Sequence, residues 1–554
     1  MRFFLVPGLL CFAVLCTGIS RAQVRPDAGQ ILQETRPLSA PAPLAMPPIN
    51  VPQRDEKPDA SVSDNNTRVK VSQFDFVGNT VLSTETLRQA LAPWSQRELN
   101  YGELIEAVEA VEAAYKAAGY FLAQANLPPQ QIKDGVIQIT VGEGTLHQVR
   151  LEGESNIGSD TLYAYTDHLA LGKPLQLPVL ERQILLINEL AGGRASLDLQ
   201  AGQTEGSTDV VLNLTVESQL TGRLEANNHG APSTGENRVV LTVFGNSLFN
   251  RGERITMNVL NSDTNGLQAY TLRGDIPLGG DGWRASVTSS RATYALGGAF
   301  ASQRLNGVAD SQRLGLSYPI IRSNSKSLRV QLEADQSALN DNYLAVGRFP
   351  AKKSSGQTLT TSAEWIDTWG GGGANRLDLA LRSGQLILNA AATADDGYNT
   401  RGEFSKLVLN ATRQQNLGKD VNLQVALNAQ EAGKNLDSSE KLSLGGPLTL
   451  PGYGNGEAVA DSGYWLRLGT RWQVQSSLTL SAMTNWAQLR LAKQALANAS
   501  VNNTRELADF ALGADWVLLK NLNASALVAW PLLKANVIED NNKVRLWLSL
   551  TTVF

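Results

Sequence analysis

Few residues in this 554-residue sequence could do covalent or metal chemistry: two cysteines, Cys11 and Cys16, and three histidines, His147, His168 and His229. The histidines are far apart, in contexts that read as turn or surface, where a lone imidazole is far more often structural than catalytic. Carboxylates are numerous but form no recognisable pair, and without clustered thiol or imidazole ligands a catalytic metal has no site. No Gly-rich stretch precedes a Lys-Ser or Lys-Thr pair at phosphate-loop spacing. The residues point away from an enzyme, and no cofactor or metal is expected. Lys plus Arg total 48 against 52 Asp plus Glu, a net charge of -4 that offers no broad cationic surface for nucleic acid.

The elements must therefore carry the function, and they begin with an export signal. Residues 1–22 place Arg2 before an apolar stretch from Phe3 to Leu15 and put Ser20 and Ala22 at the small-residue positions of a cleavage site. The stretch is short of the ~20 residues that a spanning helix needs. Leu10 and Leu15 stand where a lipoprotein would need a small residue, so both thiols are expected to leave with the signal. Losing Arg2 and Arg21 would leave 46 basic and 52 acidic residues. No later segment has ~18 consecutive apolar residues, so a membrane-embedded chain would have to be a closed β-barrel, which alone satisfies every backbone N–H and C=O in hydrocarbon.

Residues 23–36 read as a short helix, with Pro26 near its start and Pro37 stopping it. Residues 37–67 read as a linker, with seven prolines between Pro37 and Pro58. A repeat follows at an offset of 75 residues: Gly78 falls on Gly153, Leu82 on Ile157, Glu85 on Asp160, Thr86 on Thr161, Leu87 on Leu162 and Val141 on Val216. Six matches in one register indicate a duplicated domain, residues 68–144 and 145–219. Each copy opens with an alternating strand, Val69, Val71 and Gln73 against Lys70, Ser72 and Phe74 in the first. Two helices and two strands follow. The clearest helix spans residues 101–118, with Leu104, Ile105, Val108, Val111, Ala114 and Tyr115 on one face and Gly119 suited to closing it. Residues 120–127 and 136–141 read as strands, giving β-α-α-β-β.

From residue 220 to 554 the pattern is two-residue alternation broken by Gly, Asn, Asp and Ser clusters. Val421, Leu423, Val425 and Leu427 share one face, as do Leu328, Val330 and Leu332 opposite Arg329, Gln331 and Glu333. That suits an apolar outside and a wet interior. A soluble β-sandwich also alternates. Against it, nine of the ten Trp lie in this region, as interfacial anchors would. The segment 544–554 is also aliphatic at every second position, an aggregation hazard at a sheet edge but not in a closed barrel.

With these residues in view, the chain resembles the outer-membrane translocators of two-partner secretion, the haemolysin secretion/activation and filamentous haemagglutinin transporter family. Phe76-Val77-Gly78-Asn79, Gly119-Tyr120, Leu127-Pro128-Pro129-Gln130, Asp134-Gly135 and Gly142-Glu143-Gly144 resemble that family's first POTRA domain, in order. Asn228-His229-Gly230, Thr234-Gly235, Arg238 and the run 246–253 resemble its first barrel hairpin. The resemblance implies a transmembrane β-barrel of 16 antiparallel strands behind two POTRA domains. The 335 residues from Leu220 allow about 21 per strand with connections, against the ~10 needed to cross.

It further implies a periplasmic arm on an outer-membrane pore, and a monomer that secretes a cognate β-helical exoprotein. Outer-membrane lipid surrounds the barrel, and the barrel-assembly machinery recognises Phe554. Gln30, Ile31 and Leu32 would plug the pore. An unfolded exoprotein would add a strand to an exposed POTRA edge, expected at Tyr120, Phe121, Leu122, Ala123, Gln124, Ala125, Asn126 and Leu127, with a counterpart at residues 194–199. Folding of the cargo at the surface would supply the energy. A barrel-assembly factor shares the architecture but differs in POTRA number and lacks the Pro-Gln and Asp-Gly signature. A solute porin has no use for periplasmic modules.

One segment departs from the family. Leu450, Pro451, Gly452 and Tyr453 resemble the tip of the sixth extracellular loop, which folds into the lumen, but the family usually has Arg where Pro451 stands. The Asp that pairs with that Arg on the barrel wall is matched here by Asn485. Losing one partner would strand a charge, and losing both avoids that. Either the loop still enters the lumen, held by packing and neutral hydrogen bonds around Tyr453 and Asn485, or it is looser and sits elsewhere. Restoring the pair with Pro451→Arg and Asn485→Asp should change secretion and pore conductance if the two positions meet; no change in either would remove the reason for placing them together.

Overall fold

The computed structural model describes residues 26–36, 49–50, 67–204, 206–495, 502–533 and 543–554. The expected signal and most of the linker lie outside these. Among the described residues no helix is long and apolar enough to cross a membrane, and no group of acidic, His or Cys side chains could hold a metal ion.

The first of the two units before the barrel comprises β2 (Val69–Val71), β3 (Gln73–Val77), α2 (Thr84–Ala90), β4 (Arg97–Leu99), α3 (Tyr101–Ala117), β5 (Gln124–Asn126) and β6 (Val136–Gly142), after helix α1 (Ala28–Glu34) and strand β1 (Ile49–Asn50). The opening strand is broken at Ser72, whose N–H donates to Gly135 O at 2.7 Å. Val71 and Phe74 are consequently the buried pair, and the alternation expected through Gln73 does not persist. β3 runs parallel to β6, and β5 antiparallel to it. Asn100 and Glu103 form a capping box at the start of α3, which buries Leu104, Val108, Val111 and Tyr115.

The second unit repeats the order with β7 (Thr145–Gly153), α4 (Ser159–Thr166), α5 (Leu177–Ile187), β8 (Gly193–Ala201) and β9 (Ser207–Val216). Gly78 and Gly153 show why each copy has glycine there. Both have positive φ, +92° and +89°, and a Cβ on either would lie 2.2 or 2.3 Å from a carbonyl oxygen of the facing strand. The units are fused, because Phe121 and Leu122 of the first pack on the core of the second.

The second unit is sutured to the barrel. Glu189, at the end of α5, accepts from Arg322 Nε at 2.6 Å and Arg329 Nη2 at 2.8 Å. Arg182 donates to Pro319 O at 2.9 Å.

The barrel is closed, with sixteen antiparallel strands in sequence order from Leu220–Asn227 to Arg545–Val553. Five directly opposed pairs join the first strand to the last, Arg223 with Val553 through Asn227 with Ser549. Phe554 and Gly222 then exchange main-chain hydrogen bonds. Leu332, Leu359 and Leu381 face one another outside on three strands, half exposed. Charges face in, as in the Arg382–Asp335 and Arg376–Glu364 pairs. Aromatic pairs mark both ends of the wall: Trp283 with Tyr318 beside the second unit, and Tyr464 with Trp486 and Phe510 with Trp530 at the far end.

A buried carboxylate holds the first unit together. Glu143 accepts from the N–H of Thr80 at 2.6 Å and of Val81 at 2.9 Å, and from the hydroxyls of Tyr115 at 2.8 Å and Thr80. Burial alone would raise its pKa, but the Thr80, Val81 and Tyr115 donors together outweigh that and hold it below the ordinary 4.5. Its contribution is therefore in place above the unfolded pKa and is lost as pH falls through the folded one. Glu143→Gln should cost this unit about 1–3 kcal/mol at neutral pH. It should also flatten the wild-type loss of stability below pH 4.5; hydrogen exchange over residues 80–81 reads both.

Candidate functional site

The lumen is filled by α1 and by the loop between the strands Val421–Ala432 and Ser462–Gln475. Asp27 caps α1, accepting from the Gln30 N–H at 3.0 Å. Ala28, Ile31 and Leu32 are buried against Leu267, Ala269, Tyr294 and Leu305 of the wall, and Gln30 is half-buried. Polar clamps fix both ends. Lys352 Nζ reaches Asp27 at 2.9 Å and Asp437 of the loop at 2.7 Å, and the Ala28 N–H donates to Asp341 at 2.9 Å. At the other end Glu34 pairs with Arg238. Gln33 Nε2 donates to the loop carbonyls of Ser438 and Lys441, so helix and loop hold each other. The strand Lys326–Tyr343 leaves the second unit at Arg329 and reaches α1 at Asp341, which places the helix in the extracellular half of the bore.

At the loop tip Leu450, Pro451, Gly452 and Tyr453 are all buried. The Tyr453 hydroxyl lies 2.9 Å from Ala508 O and 2.7 Å from Leu533 O. Trp547, on the last strand, donates its indole N–H to Pro451 O at 2.8 Å. The Gly452 N–H donates to Asp509 Oδ2 at 2.8 Å. A side chain at Gly452 would meet Asp509 Cβ at 2.7 Å and Pro531 N at 3.0 Å, so only glycine lets the main chain approach this closely. Asn485 makes its side-chain hydrogen bonds to the wall. It donates to Asp509 Oδ1 at 2.6 Å and accepts from Arg467 Nε at 2.7 Å, while Arg467 Nη2 donates to Thr449 O at 2.8 Å.

Sequence reasoning singled out Asn485, Pro451, Gly452 and Tyr453 but missed Asp509, Arg467 and Trp547. The available signal was a charge at an inward position of an alternating strand, Asp509 between outward-facing Ala508 and Phe510. Asp27, Lys352, Asp341 and Glu34, which clamp the helix, were missed as well, because the contacts join residues hundreds of positions apart.

The periplasmic edges differ from expectation. Only Gln124, Ala125 and Asn126 of the segment 120–127 form a strand, β5, at one edge of its sheet. Tyr120 to Ala123 turn instead: the Tyr120 N–H closes α3 on Tyr115 O, Tyr120 Oη bonds Gln176, and Phe121 and Leu122 serve the neighbouring core. Ala123 and Ala125 are buried, Leu127 is partly so, and the Ala125 N–H donates to Glu112 at 3.0 Å. The counterpart edge at residues 194–199 is not free, because β1 lies parallel on β8 with Ile49 opposite Leu197 and Asn50 opposite Asp198. The histidines are dispersed: His147, in strand β7 and not in a turn, bonds Asp209 at 2.9 Å, His168 is exposed, and the His229 ring meets Trp547 edge-on.

Residues 206–502 match the family described as haemolysin secretion/activation protein ShlB/FhaC/HecB, and residues 69–144 match the ShlB-type POTRA domain. The heme/hemopexin transporter protein HuxB of Haemophilus influenzae strain 86-028NP is 24% identical over 86% of this chain and 85% of its own length. The outer membrane transporter CdiB of Escherichia coli O6:K15:H31 is 25% identical over 86% of this chain and 82% of its own. The structure of CdiB from Escherichia coli superposes with a TM-score of 0.74 at 21% identity, covering 93% of this chain and 94% of that one, a likeness of fold. A sixteen-stranded barrel, a ShlB-type POTRA domain and a family match over more than half the sequence converge: the chain belongs to the haemolysin secretion/activation family of outer-membrane two-partner secretion transporters.

Proposed function

We propose that this transporter captures an unfolded exoprotein at its periplasmic units and passes it through the bore, with residues 145–219 acting as a second POTRA domain and α1 as a plug. The observation that carries the reading is the lining of the bore. Charges of opposite sign lie side by side there, Arg273 with Asp275, Arg376 with Glu364 and Asp378, Arg382 with Asp335. Such a wall is polar over much of its surface with cations and anions interleaved, which suits the passage of an extended polypeptide.

The contacts of α1 support its role as a plug. They are polar clamps at two ends and a small apolar middle, strong enough to hold a short helix and reversible without unfolding the wall. Capture by strand addition has β5 and β8 to work with. At β5 the cargo would have to displace Glu112 from the Ala125 N–H, and at β8 it would have to displace β1. Main-chain pairing tolerates many sequences, which leaves selectivity to the side chains that line the edge.

Two outcomes test this. Lys352→Gln leaves Asp27 and Asp437 without their shared cation, and should raise conductance in planar bilayers toward that of a chain lacking residues 27–36; a deletion that conducts like the intact chain would place the plug elsewhere. Ala125→Pro removes the N–H at the β5 edge and should reduce secretion of the cognate exoprotein from a normally assembled barrel; undiminished secretion would exclude β5 as the capture edge.

A further inference from the structure

Arg467, Asn485 and Asp509 are directly opposed residues on three successive strands, Ser462–Gln475, Leu478–Arg490 and Thr504–Leu519. They form one inward-facing row and a continuous chain of hydrogen bonds: Arg467 donates to Asn485, and Asn485 donates to Asp509. The row meets the loop only at main-chain groups, the Gly452 N–H and the Thr449 and Leu448 carbonyls. No charged side chain of the tip takes part, since Pro451 offers only its carbonyl, and that goes to Trp547.

Two consequences follow from the chemistry. A carboxylate with two acceptor oxygens and a guanidinium fork, bridged by an amide that accepts from one and donates to the other, form a neutral unit. The unit's charge does not change when the loop departs, because both charges stay on the wall. A loop that carried one half of an ion pair would leave the other half stranded on withdrawal, and stranding a buried charge is the costly change. At this row withdrawal of the tip breaks only hydrogen bonds to its main chain, whose groups water can satisfy at once, whereas the ion pairs of the loop with the wall, Asp437 with Lys352, Glu440 with Arg382 and Glu457 with Arg505, lie elsewhere. Asp509 and Asn485 are fully buried beneath the tip, whereas Arg467 is half-buried and already reaches the bore.

We propose that Arg467, Asn485 and Asp509 are the positioning residues for the sixth loop, a charge-balanced cradle on the barrel wall that grips the tip by its main chain and stays neutral when the tip leaves. The inference rests on the proposed passage of the exoprotein through the bore, which requires the loop that occupies the bore to withdraw.

Charge parity gives the test. The variants Arg467→Gln, Asp509→Asn and the double variant are assembled in the full-length chain, assembly is confirmed by heat-modifiable electrophoretic mobility, and the open-to-closed ratio is read in planar bilayers alongside exoprotein secretion. Arg467→Gln strands Asp509 under the loop and should favour the open, hydrated state most, on the order of tenfold or more given what an unpaired buried charge costs. Asp509→Asn leaves one acceptor where Gly452 and Asn485 need two, and strands only an arginine that water reaches, so its effect should be smaller. The double variant carries no stranded charge and should open less than Arg467→Gln alone. Arg467→Lys keeps the charge without the fork and should fall between wild type and Arg467→Gln, which preserves the test if an Asp509 variant does not assemble. A double variant at least as open as Arg467→Gln, or a series indistinguishable from wild type, overturns the proposal. Removing residues 448–455 in parallel separates the two readings. If that chain conducts freely while the series is flat, the cradle alone is wrong; if neither responds, the loop as a moving part is wrong too.

Discussion

In a bilayer without water, an N–H or C=O with no partner costs several kcal/mol, and the rest of this molecule is arranged around that cost. Alternating strands can meet it only by closing, so the first and last strands must pair, which they do over five opposed positions completed by Gly222 and Phe554. Closure creates a bore. Because side chains alternate, an exterior of leucines such as Leu332, Leu359 and Leu381 commits the intervening positions to the bore, where Glu333, Asp335, Thr358 and Arg382 can be charged or polar. The wet interior of the transporter is thus the other half of its apolar exterior.

An open bore in an outer membrane would leak, and the same interior supplies the means to fill it. The polar side chains that face the bore provide Lys352, Asp341 and Arg238 as anchors for α1, and Arg467 and Asp509 as anchors around the loop. These contacts are polar, with a small apolar patch under Ala28, Ile31 and Leu32, and in the proposed function they let the helix and loop leave while the cylinder stands. The periplasmic arm has the opposite character. Phe121 and Leu122 of its first unit pack on the core of the second, and Glu189 fastens the second to Arg322 and Arg329.

How much of this was legible in the sequence depends on the range of the interaction. Alternation read one strand at a time found the barrel, since burial on one face leaves its period in every strand. The 75-residue offset found the duplicated unit because glycines such as Gly78 and Gly153 are fixed by backbone geometry that no other residue meets. The helix α1 was announced by Pro26 and Pro37. What was not legible lies in contacts between distant segments: Asp27 with Lys352, Gly452 with Asp509, and β1 along β8. The family resemblance led to Asn485, where an acid was missing, but not to the next strand, where Asp509 supplies one. The segment 120–127 misled for a related reason: its alternation is compatible with a strand, but Phe121 and Leu122 answer to the neighbouring unit's core.

The central claim is that the exoprotein travels through the bore, and site-specific cross-linking to a stalled cargo addresses it most directly. Residues 23–554 contain no cysteine, so one thiol can be placed at Thr360, which faces in, or at its neighbour Leu359, which faces lipid. An exoprotein halted in transit and carrying its own cysteine should form a disulfide with the chain altered at Thr360 and not with the one altered at Leu359. Cross-links at Leu359 alone, or equally at both, would contradict passage through the lumen.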